Sequence, residues 1–77
     1  MSTAAENSQK NWYVYCTPER KFSEVITYRK NVILELKKFA PDKFDSLDEN
    51  RTAEADFQAY LEMIRQAGYE VYELRKA

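Results

Sequence analysis

The chain has 77 residues, of which 44% are hydrophobic, 14% aromatic and 32% charged, and its formal net charge is −1. This length gives one small domain, and the hydrophobic fraction is too high for a disordered chain. The near-neutral charge also lacks the clear basic excess that is typical of nucleic-acid-binding proteins.

The N-terminal residues 1–10 are polar and predict a mobile leader, so that residues 11–77 form the single domain. No stretch reaches the roughly 20 apolar residues that a membrane helix needs. Cys16 is the only cysteine, which excludes an intrachain disulfide. Together these features predict a cytoplasmic protein that does not contact a membrane.

Residues 12–17 are mostly β-branched and aromatic, which predicts a first strand. Thr17 and Pro18 then suit the start of a helix. Placed at about 100° per residue, the apolar side chains of residues 18–40 fall mainly on one arc, which predicts one long helix ended by Pro41. Residues 25–28 also have strand propensity, so a hairpin followed by a shorter helix is the alternative.

The second half of the chain has clearer signals. Residues 41–52 are expected to connect the two helices. Within this connection, Phe44 and Leu47 are spaced like one helical turn and are expected to pack it against the core. A second helix is predicted from Thr52, its N-cap, to Gly68, the only glycine, which suits a left-handed C-cap. The alternating residues 69–74 predict a second strand.

The predicted fold is therefore a small α+β domain with the order β-α-α-β, in which two helices pack on a two-stranded antiparallel sheet. Both strands of such a sheet are edges with unpaired backbone groups. A two-stranded sheet is weak by itself, and a second copy of the chain or a partner protein could extend it. The expected assembly is a homodimer or a complex with another protein.

Most catalytic chemistry is excluded by composition. The chain has no histidine, one glycine and one cysteine, which removes histidine-dependent catalysis, phosphate-binding glycine loops, zinc fingers and CxxC redox pairs. The acidic residues 45–50 lack the spacing of an EF-hand. Cys16 is expected to be a buried, inert thiol rather than a redox group. We therefore predict no catalytic residues, no metal, no cofactor and no enzymatic activity.

The remaining class is a protein-interaction module, such as a small adaptor, inhibitor or regulator, that acts through an exposed sheet edge and an aromatic face. Arg29 interrupts the apolar arc of the first helix and could lie at an interface. The predicted partner-binding residues are Tyr13, Tyr15, Arg29, Tyr69 and Tyr72.

A small nucleic-acid-binding factor is the alternative function. In that case strand aromatics would stack on bases and helix lysines would contact phosphates. The predicted contacts are Trp12, Lys30, Lys37 and Lys38, with Tyr13 and Tyr15 as further stacking platforms. Steep salt dependence of binding would distinguish this function from apolar docking.

Overall fold

The computed structural model describes residues 11–74, and the predicted leader, residues 1–10, lies outside them. These residues form an α+β fold in which helices pack on one face of an antiparallel sheet. The elements are β1 (Trp12–Cys16), β2 (Ile26–Thr27), α1 (Arg29–Phe39), α2 (Pro41–Phe44), α3 (Glu54–Gln66) and β3 (Glu70–Leu74). The α+β class is confirmed, but the sheet has three strands in the order β2-β1-β3 rather than two.

The predicted long helix over residues 18–40 is wrong, and the alternative, a hairpin followed by a shorter helix, is confirmed. The Thr17 N–H donates to the Lys21 carbonyl at 2.9 Å, and the Arg20 N–H donates to the Thr17 carbonyl at 2.8 Å. The Thr17 hydroxyl accepts from the Lys21 N–H at 3.2 Å, so it closes this turn instead of capping a helix. The hairpin adds β2 on the side of β1 opposite β3, so β1 is the central strand. Helical periodicity in the sequence does not reveal this pairing.

The hairpin turn contains a strained residue, Arg20, whose φ is +68°. A positive φ costs a residue with a Cβ roughly 1–2 kcal/mol, whereas glycine adopts it freely. We therefore expect Arg20→Gly to raise the free energy of unfolding by about 0.5–1 kcal/mol in urea denaturation. Glu19→Gly, at the neighbouring exposed position where φ is not positive, is the control and should lower it. Equal effects of the two changes would contradict the assignment of strain to Arg20.

The chain enters α1 through Tyr28, which has φ 73° and ψ 136°, a conformation that favours glycine. Its N–H donates to the Asn11 carbonyl at 3.2 Å, and Asn31 Nδ2 donates to the Thr27 carbonyl at 2.9 Å. These bonds fix the reversal from β2 into α1. The helix then buries Val32, Ile33 and Leu36.

Pro41 ends the first helical segment and occupies the start of the single-turn α2. Phe44 and Leu47 are each 2% exposed, so the prediction that they pin the connection to the core is confirmed. The N-cap of α3 is Ala53, which lies one residue after the predicted Thr52 and makes no side-chain cap hydrogen bond.

The predicted glycine cap is confirmed. Gly68 has φ +94°, its N–H donates to the Arg65 carbonyl, and the Tyr69 N–H donates to the Ile64 carbonyl, which is a Schellman motif. A Cβ at Gly68 would lie 3.2 Å from Pro18 Cγ. The cap therefore needs glycine both for its backbone angle and for its close approach to the hairpin turn.

The core lies between the sheet and the helices. It combines two rings of β1 with the apolar stripes of α1 and α3 and with the residues around α2. Its buried members are Tyr13, Tyr15, Val32, Ile33, Leu36, Ala40, Phe44, Leu47, Phe57, Ile64 and Tyr69. None of the helices within residues 11–74 has the length and apolar character needed to cross a bilayer.

Candidate functional site

The strand register divides the sheet side chains between two faces, because residues alternate along a strand and directly opposite residues share a face. Tyr13 and Tyr15 point into the core. Trp12, Val14 and Cys16 therefore point to the opposite face. The register places their β3 neighbours on the same side, with Trp12 opposite Leu74, Val14 opposite Tyr72 and Cys16 opposite Glu70.

Phe22 joins this second face from the hairpin. It bridges to Cys16, and its ring centroid lies 6.1 Å from that of Tyr72. We name the resulting surface the outer face. It consists of Trp12, Val14, Phe22, Tyr72 and Leu74.

The outer face is apolar and exposed. The exposed fractions are 41% for Trp12, 66% for Phe22, 43% for Tyr72 and 36% for Leu74, while Val14 is half-buried. With about 200 Å² for a full aromatic side chain, the three rings together expose roughly 300 Å². The largest apolar patch of a typical monomer is about 300–600 Å² and is often functional. The outer face is therefore within the size range of functional patches.

Little charge interrupts this surface. Within residues 11–74, Glu70 is the one charged side chain at an outward-facing strand position, and its Oε1 lies 3.8 Å from Arg65 Nε. Cys16 lies beside Glu70 but is only 3% exposed, and its Sγ donates to the Thr17 carbonyl at 3.5 Å. The thiol is buried as predicted, whereas its inertness stays a prediction.

Three of the five predicted partner-binding residues lie in the core instead of at the surface. Tyr13, Tyr15 and Tyr69 are 2%, 8% and 4% exposed. The Tyr13 ring packs edge-on against Phe57 at 5.6 Å, and the Tyr69 ring packs against Phe44 at 5.1 Å. Burial raises the pKa of Tyr15 and of Tyr69 above that of an exposed tyrosine. These rings pack the core and are not available for a partner.

The fourth residue, Arg29, links α1 to the start of α3. Its Nη1 donates to the Thr52 carbonyl at 2.9 Å, and its Nη2 donates to Glu54 Oε1 at 2.8 Å. The guanidinium carbon lies 5.3 Å from the centre of the Phe57 ring. Burial acts to lower the pKa of Arg29, but hydrogen bonds with Tyr13 and Glu54 raise it overall. Arg29 is thus an internal clamp, and only Tyr72 of the predicted set lies on the outer face.

The predicted nucleic-acid contacts are not on one surface. Trp12 lies on the outer face, whereas Lys30, Lys37 and Lys38 belong to α1, in the layer on the other side of the sheet. Lys37 Nζ is 2.9 Å from Glu49 Oε1, and Lys38 Nζ is 3.8 Å from Glu35 Oε2. A base stacked on Trp12 would therefore have none of these three lysines on the same face for its phosphates.

Sequence reasoning missed Phe22, Val14 and Leu74 as site residues. The apolar arc of residues 18–40, which includes Phe22, predicts a helix, and only the hairpin places Phe22 opposite Cys16. The alternation of residues 69–74 already indicated apolar groups on both faces of β3, so Leu74 could have been found from the sequence.

The described residues show no cluster suited to a metal: within residues 11–74, no three His, Cys, Asp or Glu side chains are grouped so that they could hold an ion. Comparisons with protein-family models, with curated proteins and with solved structures gave no match. The function is therefore argued from the geometry of the outer face.

Proposed function

We propose that this protein is a non-catalytic protein-binding module, a small adaptor, inhibitor or regulator, that docks an apolar surface of another protein on its outer face. The observation that supports this function is the joint exposure of Trp12, Phe22, Tyr72 and Leu74 on one side of the sheet. Tyrosine and tryptophan are enriched at the energetic centres of protein interfaces. Tyr72 combines a large apolar ring with a hydroxyl group that can bond to a partner.

The size of the outer face sets the strength expected of such a complex. Burying roughly 300 Å² of ring surface at about 25 cal/mol/Å² contributes about 7–8 kcal/mol. Association costs an estimated 4–15 kcal/mol in lost freedom of motion. The rings alone therefore support a weak complex, and a stable one needs more contact area, either at the sheet edge or on an enlarged face.

The experiment is affinity capture from a lysate of the source cells, treated with nuclease, with the wild-type chain and two variants as bait. One variant combines Phe22→Ala with Tyr72→Ala. The matched control is Met63→Ala, which removes an apolar side chain that is 47% exposed but lies on α3. Each captured protein is then purified, and its dissociation constant is measured directly.

We expect a partner that binds the wild-type chain and Met63→Ala alike. Loss of the Phe22 and Tyr72 rings should weaken the binding of this partner by about 2 kcal/mol or more, roughly 30-fold in Kd. The affinity should change little with salt, because apolar contacts carry it. If the Phe22→Ala, Tyr72→Ala double variant bound the partner as tightly as the wild-type chain, the proposal would be overturned. Capture that disappears on nuclease treatment or falls steeply with salt would instead favour the nucleic-acid function.

A further inference from the structure

The hydrogen bonds of β1 show which backbone groups of β3 face the open edge of the sheet. The Tyr15 carbonyl accepts from the Ser23 N–H and the Asn11 carbonyl accepts from the Tyr28 N–H, so the odd-numbered residues of β1 face β2. The even-numbered residues of β1 therefore face β3. In an antiparallel pair, opposite residues exchange both bonds at alternate positions.

The register then divides β3 in the same way. Glu70, Tyr72 and Leu74 lie opposite even-numbered residues of β1 and bond to them. The N–H and C=O groups of Val71 and Glu73 point away from β1. Since β3 is at the end of the strand order formed by residues 11–74, these four groups face the open edge of that sheet.

We infer that this edge pairs with β3 of a second copy of the chain, antiparallel, about a twofold axis at Tyr72. The two sheets then form one continuous six-stranded sheet. Val71 of each copy lies opposite Glu73 of the other, and each such pair exchanges two backbone hydrogen bonds. The twofold axis is perpendicular to the sheet, so it brings both outer faces to the same side, where they form one docking surface. In this respect the dimer rests on the proposed function.

Side-chain charge selects this register. Twofold pairing centred on Glu70 or on Glu73 would set two carboxylates directly opposite each other, which is unfavourable. Pairing centred on Val71 would leave Leu74 opposite Gly68, which caps α3 with φ +94° and is not in the strand. Pairing centred on Tyr72 uses all five residues of β3 and sets no like charges opposite.

The pairing also enlarges the outer face. The two Tyr72 residues lie opposite each other at a position without backbone hydrogen bonds, where Cα atoms are about 4.5 Å apart and side chains are closest. Two copies together expose somewhat less than roughly 600 Å² of ring surface, because the two Tyr72 rings cover part of each other; this is closer to the ~800 Å² per partner of a standard interface than the roughly 300 Å² of one copy. Dimerisation would thus supply the area that one copy lacks.

Disulfide trapping tests the register. In a Cys16→Ala background, Tyr72→Cys should give a disulfide-linked dimer on mild oxidation, because the two positions meet on the twofold axis. Glu70→Cys and Leu74→Cys should each fail to link alone but should link when mixed, since residue 70 lies opposite residue 74 of the other copy. Equal linking by all single variants, or none by Tyr72→Cys, would overturn the proposal.

Sedimentation equilibrium tests whether the open edge of β3 forms the dimer contact. The wild-type chain should approach twice its 9.2 kDa as concentration rises. Glu73→Pro removes the N–H that faces the open edge and spares the bonds to β1, so it should stay monomeric with an unchanged far-UV circular dichroism spectrum. Glu73→Ala keeps that N–H and should dimerise at least as well as the wild-type chain. It removes two carboxylates that lie diagonally across the strand pair and repel each other.

The inference would be overturned if the wild-type chain stayed monomeric. It would also be overturned if the Glu73→Pro variant dimerised as well as the wild-type chain. A captured protein strand that occupies the β3 edge in place of the second copy would overturn it as well. Partner capture by the outer face is measured separately. A monomeric wild-type chain that still loses its partner through Phe22→Ala and Tyr72→Ala would therefore overturn the dimer and support the proposed function.

Discussion

Replacing Phe44 with alanine is expected to lower the free energy of unfolding by about 3–5 kcal/mol, the range for deleting a buried aromatic ring. Phe44 is 2% exposed, and its ring meets that of Tyr69 edge-on at 5.1 Å and 81°. It ends the four-residue helix α2, which has too few backbone bonds to hold its place alone. Because a chain of this length has a total stability of roughly 4–12 kcal/mol, the variant should be close to unfolding at room temperature.

Phe39→Ala is the matched control. Phe39 ends α1, two residues before α2 begins, and its ring contacts Tyr15 and Tyr69, but it is 55% exposed. Its truncation leaves no closed cavity and should cost about 1 kcal/mol. Urea denaturation of both variants gives the comparison, and Phe44→Leu should fall between them. Equal losses for Phe44→Ala and Phe39→Ala would show that Phe44 does not anchor the connection.

The contrast between these two phenylalanines shows what the sequence could and could not predict. The pinning role of Phe44 and Leu47 and the cap at Gly68 follow from local chemistry, namely the spacing of one helical turn and the need for a positive φ. Both were predicted correctly. The strand over residues 69–74 also follows from alternation close to a reliable helix end.

Residues 18–28 could not be assigned locally. Phe22, Val25 and Tyr28 extend the apolar arc of α1 towards the N-terminus, yet they are 66%, 59% and 41% exposed. They belong to the β1–β2 hairpin and its continuation into α1, which are stabilised by backbone hydrogen bonds such as Ser23 N–H to the Tyr15 carbonyl and Tyr28 N–H to the Asn11 carbonyl. The periodicity of one segment does not reveal this pairing between two strands. The apolar periodicity therefore reflects a helix from Arg29 onwards, where α1 begins, and is coincidental over residues 18–28.

The site shows the same dependence on tertiary structure. Residues 12–15 place aromatic or β-branched side chains on both sides of the strand, so alternation alone does not reveal which side meets the helices. A change of one residue in phase exchanges the two faces. The phase is set by Tyr13 packing on Phe57, a contact that spans most of the domain in sequence. For this reason the predicted surface tyrosines of β1 are core residues and Trp12 is exposed.

Arg29→Ala is expected to lower the free energy of unfolding by about 2–3 kcal/mol, because one change removes two charge-assisted hydrogen bonds and a cation–π contact. The side chain is 12% exposed and joins α1 to the Thr52 carbonyl and to Glu54, more than 20 residues away. These contributions are not additive, since they share one guanidinium group. Arg29→Lys keeps the charge but lacks the planar fork that reaches both acceptors, so an intermediate loss is expected.

Two measurements separate this clamp from the partner-binding role that the sequence predicted for Arg29. Glu54 is 74% exposed, so Glu54→Gln should cost at most about 1 kcal/mol in urea denaturation. Lys38→Ala, which removes a cation that is 73% exposed from the same helix, should be nearly neutral. If Arg29→Ala were as stable as Lys38→Ala yet lost a captured partner, the residue would be a docking group. A large stability loss, with affinity kept in the folded fraction, is the result expected of a guanidinium group held against Phe57.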